Sequence, residues 1–164
     1  MKSSLPSLGL SAQKVVAQIR KVRKASKQAS ENNGRFADYR YLRAVLRAYR
    51  YFEDNNLLPH LIEIAPSMLM TPVRANWHSL RMIIEATCIQ PDLRMRSRWT
   101  RALEYALAED IDPKELPRFI RAHNGIAGCA DLASKTKPKR FSPDTSDRPA
   151  PVLLRHISAA SIHE

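Results

Sequence analysis

The segment RYLRAVLRAYR, residues 40–50, divides its side chains between two opposite faces of a helix. At about 100° per helical residue, its arginines fall within an arc of roughly 80°. They are Arg40, Arg43, Arg47 and Arg50, and the residues on the opposite side are Leu42, Val45, Leu46 and Tyr49. Such a segment must cover its apolar side with other elements while its arginines remain outside, which favours a bundle of amphipathic helices.

Two long helices are predicted in the first third of the chain. We expect Ser11 to cap the first helix after the apolar staple Leu10, and Asn32-Asn33-Gly34 to end it. The arginine helix then extends from about residue 35 to residue 52. The apolar positions of the first helix form a narrow seam of coiled-coil type: Val15, Ile19 and Val22. This seam could pair two copies of the chain as a homodimer, or pack on the arginine helix within one chain.

Shorter helices are predicted up to about residue 134. LLPHLIEIA, ahead of Pro66, is expected to make one or two turns, and Thr71-Pro72 to open a helix. RMRSRWTRALEYALAEDI predicts the next helix, Asp112 begins another with capping-box spacing, and IAGCADLAS is the last. The apolar positions of these segments predict a small core: Val15, Ile19, Leu42, Leu46, Trp77, Leu80, Ile84, Trp99, Leu103, Phe119 and Ile120.

The predicted fold is therefore all-α, a small bundle of five to seven helices with a disordered C-terminal tail. Residues 1–10 are expected to be a flexible lead, residues 11–134 the helical domain and residues 135–164 the tail. Within the domain, residues 11–53 form a basic helical pair and residues 57–134 the remainder. The tail begins with KTKPKRFSPDTSDRPAP, whose four prolines and single large apolar residue cannot offset the entropy of ordering its backbone.

The net charge of +11 is concentrated at one end of the chain. Residues 1–50 contain twelve Lys or Arg and two acidic residues, a net charge of +10, and the other 114 residues together carry +1. A positive field concentrated in this way attracts polyanions, most commonly nucleic acid, with an anionic membrane surface as the alternative. No apolar run is long enough for a signal peptide or a membrane span, so a cytoplasmic protein is expected.

A second arginine cluster, RMRSRWTR, surrounds Trp99 and could grip the backbone of a duplex. Its arginines could equally pair with acidic residues of the same helix: Glu104, Glu109 and Asp110. Guanidinium groups match phosphate oxygens geometrically, and Tyr41 or Tyr51 beside the first stripe could stack on bases. The predicted nucleic-acid-binding residues are Arg40, Arg43, Arg47, Arg50, Lys21, Arg23, Lys24, Lys27, Arg94, Arg96, Arg98 and Arg101.

Residues 118–133, RFIRAHNGIAGCADLA, resemble the first half of a helix-turn-helix, with small residues that permit a close helix crossing. KTKPKR follows in place of a recognition helix, so base-specific contacts are not predicted, and a helical corner of the core is the alternative. More broadly, WTRALEYA and NGIAGCADL give residues 96–133 a resemblance to small uncharacterised helical proteins of bacterial plasmids and mobile elements. This resemblance implies a bacterial protein and no particular activity.

Catalytic signatures are missing from the sequence. Its four glycines make no phosphate-binding loop, and its five histidines have no metal-ligand spacing. Cys88 and Cys129 are expected to be buried thiols without a disulfide or a zinc site. We therefore expect no enzyme, no cofactor, no metal and no small-molecule substrate.

The sequence predicts a non-enzymatic protein that binds nucleic acid, with DNA expected before RNA. It would act as a regulator, for example of transcription, or as an accessory factor of a mobile element. The competing prediction is a basic inhibitor or adaptor that binds an acidic surface of a partner protein.

Overall fold

The computed structural model describes residues 9–32, 34, 36–69, 74, 76–89 and 92–136. These residues form seven α-helices and no strand, which confirms the all-α prediction. The predicted tail falls almost entirely outside the described residues, as do residues 1–8 of the predicted lead. The helices are α1 (Leu10–Asn32), α2 (Ala37–Asp54), α3 (Leu58–Met68), α4 (Ser79–Thr87), α5 (Leu93–Ala108), α6 (Leu116–Ala122) and α7 (Gly125–Thr136).

The core forms where α2 packs against α1, α4 and α5. Tyr41 of α2 lies at this junction, and its hydroxyl shares a hydrogen bond of 2.8 Å with Thr87 Oγ1 of α4. Its ring also packs against Trp99 of α5, with 5.4 Å between the ring centroids. Burial raises the pKa of Tyr41 well above its ordinary value. The neutral phenol therefore joins three helices while satisfying its own hydrogen-bonding group.

Nine of the eleven predicted core residues are buried. The two exceptions, Trp77 and Phe119, are half-buried. Phe119 packs at the surface against the rings of Tyr105 and His123, with centroid distances of 5.6 and 4.3 Å. Trp77 precedes α4 and lies outside any described helix, so it does not share the buried side of α4.

The α1 seam is covered within a single chain. Val15, Ile19 and Val22 are 0, 1 and 2% exposed, because α2 and α4 pack over them. This is the intramolecular alternative for the seam, which therefore offers no free surface to a second copy. The homodimer through the first helix stays a prediction.

Two helices begin at residues other than those predicted. The helical hydrogen bonds of α1 begin at the Gly9 carbonyl, which accepts from Gln13 N at 3.1 Å, so Ser11 lies inside the helix. Leu10 is 70% exposed and is no staple. Helix α4 begins only at Ser79, because His78 Nδ1 accepts from Leu80 N at 3.2 Å and caps it. The start predicted at Thr71-Pro72 lies outside the described residues.

Two further helix boundaries differ from those predicted. Helix α3 has eleven residues and contains Pro66, because burial of Leu61 and Ile64 outweighs the backbone hydrogen bond that the proline cannot donate. Asp112 caps no helix. Its Oδ1 accepts from Lys114 N at 2.7 Å in a tight turn, and α6 starts at Leu116.

Helices α6 and α7 meet at a sharp corner. Asn124 and Gly125 have φ angles of 58° and 82°, in the left-handed region that reverses the chain. A Cβ on Gly128 would lie 1.9 Å from the His123 carbonyl oxygen, so only glycine allows this crossing. The buried side of α7, which includes Cys129 and Ala133, packs against α5. Within the described chain, the resemblance to a helix-turn-helix therefore amounts to a helical corner of the core.

Replacing Ile19 by Ala should lower the free energy of unfolding by about 2–5 kcal/mol, since it leaves a cavity among buried side chains. Because the cavity lies within one chain, the loss should not depend on protein concentration in urea denaturation. Gln28→Ala, on an exposed position of the same helix, should change the free energy by less than about 0.5 kcal/mol. A loss that shrinks at high protein concentration would instead place the seam in a dimer.

Replacing Gly128 by Ala should lower the melting temperature by several degrees, because the added methyl group displaces the His123 carbonyl and opens the corner between α6 and α7. The exposed neighbour Ala127 offers a matched control, since Ala127→Ser adds one atom to the outer side of the same helix. Equal melting temperatures for the two variants would contradict the close crossing.

Candidate nucleic-acid interface

The four arginines of α2 share one side of the helix but differ in their surroundings. Arg40 and Arg47 are exposed and make no ion pair within the described chain. Arg43 is half-buried, and its Nε is enclosed without a hydrogen-bond partner. Arg50 pairs with Glu53 at 3.2 Å and with Asp110 at 2.5 Å. Burial lowers the pKa of Arg50, but the hydrogen bonds to these two carboxylates and their charges together raise it by more. The pKa of Arg50 therefore lies above its ordinary value.

The basic residues of α1 differ in the same way. Lys21 and Lys24 are exposed, and Lys27 lies 3.8 Å from Glu31, which is also exposed, so solvent screens this contact. Arg23 is engaged within the protein instead: its Nε and Nη2 donate to the Ala86 carbonyl at 3.3 and 2.7 Å. Arg23 therefore satisfies a carbonyl in the last turn of α4, and we assign it to the fold.

Two exposed cations of α1 were missing from the predicted site residues. Lys14 and Arg20 lie on the outer side of the helix, away from the buried seam. The sequence could have identified both residues, because neither occupies one of the apolar positions, spaced four and three residues apart, that form the buried seam. Together with Lys21 and Lys24, they make the outer side of α1 basic over more than two helical turns.

Helices α1 and α2 form a hairpin that has a shallow groove near its closed end. At the closed end of the hairpin, Arg40 shares this groove with Gln28 and Asn32 of α1. Seven residues make about two turns, so Arg47 lies on the same side of α2 as Arg40. By the same seven-residue spacing, Lys21 lies on the same side of α1 as Gln28. Arg40 lines the groove itself, and helical spacing predicts that Arg47 and Lys21 lie on the sides of α2 and α1 that continue it.

The second arginine cluster divides into two exposed and two engaged residues. Arg94 and Arg98 are exposed. Arg96 donates to Glu85 Oε2 at 2.6 Å, and Arg101 donates to Ser134 Oγ at 3.1 Å. An arginine of this cluster therefore does pair within the protein, as the alternative prediction had it. The partner of Arg96 is Glu85 of α4, however, and not an acidic residue of α5.

Three aromatic residues near these arginines are poorly placed to stack on bases. Trp99 and Tyr41 are 3 and 1% exposed and pack on each other in the core, so the prediction that Tyr41 stacks on bases is wrong. Tyr51 is half-buried against Phe52, with 6.1 Å between the ring centroids. The exposed groups of this surface are therefore mainly cationic, which suits contact with phosphates more than contact with bases.

A buried carboxylate joins α4 to α5. The side chain of Glu85 is 1% exposed and lies 2.5 Å from Arg81 Nη2 and 2.6 Å from Arg96 Nη1. Burial lowers the pKa of Arg96, but the hydrogen bond to Glu85 and its charge raise it above the ordinary value. One negative charge is thus held by two positive ones at an interface between helices.

The described residues bring no group of three His, Cys, Asp or Glu side chains together that could hold a metal ion. None of the helices described above has the length and apolarity needed to cross a membrane. No protein-family model matches the chain, and no curated protein or solved structure matches it. Its function is therefore inferred from its own residues.

Replacing Glu85 by Gln should lower the free energy of unfolding by about 3 kcal/mol, because two partly buried guanidinium groups lose their counter-charge. Urea denaturation measures the loss. Glu63→Gln removes a carboxylate whose side chain is 79% exposed and should cost less than about 0.5 kcal/mol. Equal costs would show that the Glu85 pairs contribute no more than a solvated contact.

Proposed function

We propose that the protein binds nucleic acid, with DNA as the expected partner, through the outer sides of α1 and α2. The observation that carries the proposal is the pair Arg40 and Arg47, two exposed guanidinium groups without an ion pair in the described chain. By helical spacing, Lys21 and Lys14 lie on the same side of α1 as Gln28, which lines the groove with Arg40. A surface of this kind attracts phosphate through charge and fork-shaped hydrogen bonding.

The spacing of these residues supports contact with a phosphate backbone. Arg40 and Arg47 are separated by about 10.5 Å along the helix axis at 1.5 Å per residue. That distance equals roughly three base-pair steps of duplex DNA at 3.4 Å per step. Contacts of this type position a protein without reading bases, so binding should be similar for unrelated sequences.

The acidic residues of the two helices leave this groove basic. Glu31 faces Lys27, and Glu53 faces Arg50 at the far end of α2. Asp38 lies in a different cavity, beside Tyr41 and Trp99, and not in the groove that Arg40 lines. The protein is proposed to act without catalysis, as a bacterial regulator or an accessory factor of a mobile element.

Replacing Arg40 and Arg47 together by Gln should weaken duplex binding and leave folding intact, because both side chains are exposed and Gln favours helix almost as well as Arg. If each arginine neutralises one phosphate, the slope of log affinity against log salt should become shallower by about 1.8. Fluorescence anisotropy with two unrelated duplexes measures the slope.

Lys114 and Arg118 provide the matched control, since both are exposed and belong neither to α1 nor to α2. The variant with Gln at both of these positions removes the same amount of charge. Its slope of log affinity against log salt should stay steeper than that of the Arg40 and Arg47 double Gln variant. Arg40→Lys with Arg47→Lys keeps the charge, so any loss measures the fork geometry. An unchanged slope in the Arg40 and Arg47 double Gln variant would contradict the proposal and favour an acidic protein partner, which the exposed cations could also bind.

A further inference from the structure

A cleft of about 720 Å³ lies between α5 and the segment that leads into α4. Its volume falls within the range of pockets that hold small molecules. The phosphate-binding surface proposed above does not include it. The side chains that determine its chemistry are Arg74, Trp77, Arg81, Ser97, Thr100 and Arg101.

The inner wall of the cleft includes the carboxylate of Glu85, whose negative charge is balanced by ion pairs with two arginines. Glu85 lines the cleft, but its two oxygens are held by Arg81 and by Arg96, which approaches from α5. Arg81 also donates from Nη1 to Ser97 Oγ at 2.9 Å, and its Nε is enclosed without a hydrogen-bond partner. The ion-paired group has a net positive charge and is fixed in position before any ligand arrives.

Two more arginines add positive charge at the cleft. Arg74 is exposed and its guanidinium makes no ion pair within the described chain. Arg101 is half-buried and has a neutral partner, the Ser134 hydroxyl. Glu104 is the one further acidic residue among the described lining. The excess of cations therefore favours an anionic ligand.

The cleft also has an aromatic wall. Trp77 is half-buried, and the guanidinium carbon of Arg81 lies 5.6 Å from its ring centroid. Trp77 N donates to the Arg74 carbonyl at 3.0 Å, so one tight turn carries both the indole and an exposed cation. An indole face stacks on any nucleobase, and a neighbouring guanidinium binds phosphate.

We propose that this cleft binds a nucleoside monophosphate unit, with the base against Trp77 and the phosphate between Arg74 and Arg101. The Ser97 hydroxyl accepts from Arg81 and keeps its own proton to donate to a sugar or phosphate oxygen. A free nucleotide and one nucleotide of a single strand present the same chemistry. The site does not depend on the α1–α2 surface.

The chain contains two tryptophans, of which Trp99 is 3% exposed and Trp77 lines the cleft. Tryptophan fluorescence of the full chain therefore reports on the cleft. Adenosine 5′-monophosphate should quench it saturably, with half-saturation below about 1 mM. Trp77→Phe keeps Trp99 and the same absorbance by the nucleotide, and in this variant the saturable quenching should disappear.

Two further measurements test whether the cleft recognises the phosphate. Arg74→Gln should weaken binding about tenfold, because it removes a charge that would pair with the phosphate, and the exposed Arg74 side chain makes no hydrogen bond or ion pair within the described chain. Adenosine, which lacks the phosphate, should bind at least about tenfold more weakly than the monophosphate. A single-stranded tetranucleotide that quenches at lower concentration than the monophosphate identifies a strand as the source, and equal quenching identifies the free nucleotide.

Three results would overturn the proposal: no saturable quenching up to about 10 mM monophosphate, quenching that survives in Trp77→Phe, or equal binding of adenosine and its monophosphate. The Arg40 and Arg47 double Gln variant should quench like the wild-type chain. Loss of duplex binding with intact quenching, or the reverse, therefore distinguishes failure of one proposal from failure of the other.

Discussion

The structure depends on the burial of one side of α2. This helix packs against every other helix except α7, and its buried residues include Leu42, Val45 and Phe52, each 0% exposed. Tyr41 extends the contact through its hydrogen bond to Thr87. Because this side is fixed in the core, the opposite side, with Arg40 and Arg47, has to face outward. The basic surface is thus a geometric consequence of how the core is assembled.

Helical spacing was sufficient to predict the number and approximate order of the helices, because each has an apolar side that the core covers. The helix starts were less predictable. Ser11 and Asp112 have side chains that could cap a helix, but the first helical carbonyl is that of Gly9 in one case, and the other residue makes a turn. His78 caps α4 through a ring nitrogen, a role seldom expected of histidine from sequence.

The candidate site was predicted as a set of cations on outer helix faces, and this holds for Arg40, Arg47 and Lys21. The sequence could not show which arginines would be engaged, because their partners are distant along the chain. Arg50 meets Asp110 sixty residues later, and Arg23 reaches Ala86 across sixty-three residues. Which charges remain available to a ligand is therefore decided by tertiary packing and not by local pattern.

The burial of Cys129 has a consequence for the dynamics of the fold. Its side chain is 0% exposed beneath the α5–α7 interface, and burial raises the pKa of the thiol to about 11. A thiol-reactive reagent requires both access and the thiolate, so it can modify Cys129 only while α7 is separated from α5. The rate of modification therefore measures how often this interface opens. The reactivity of Cys129 thus reports the local stability of α7.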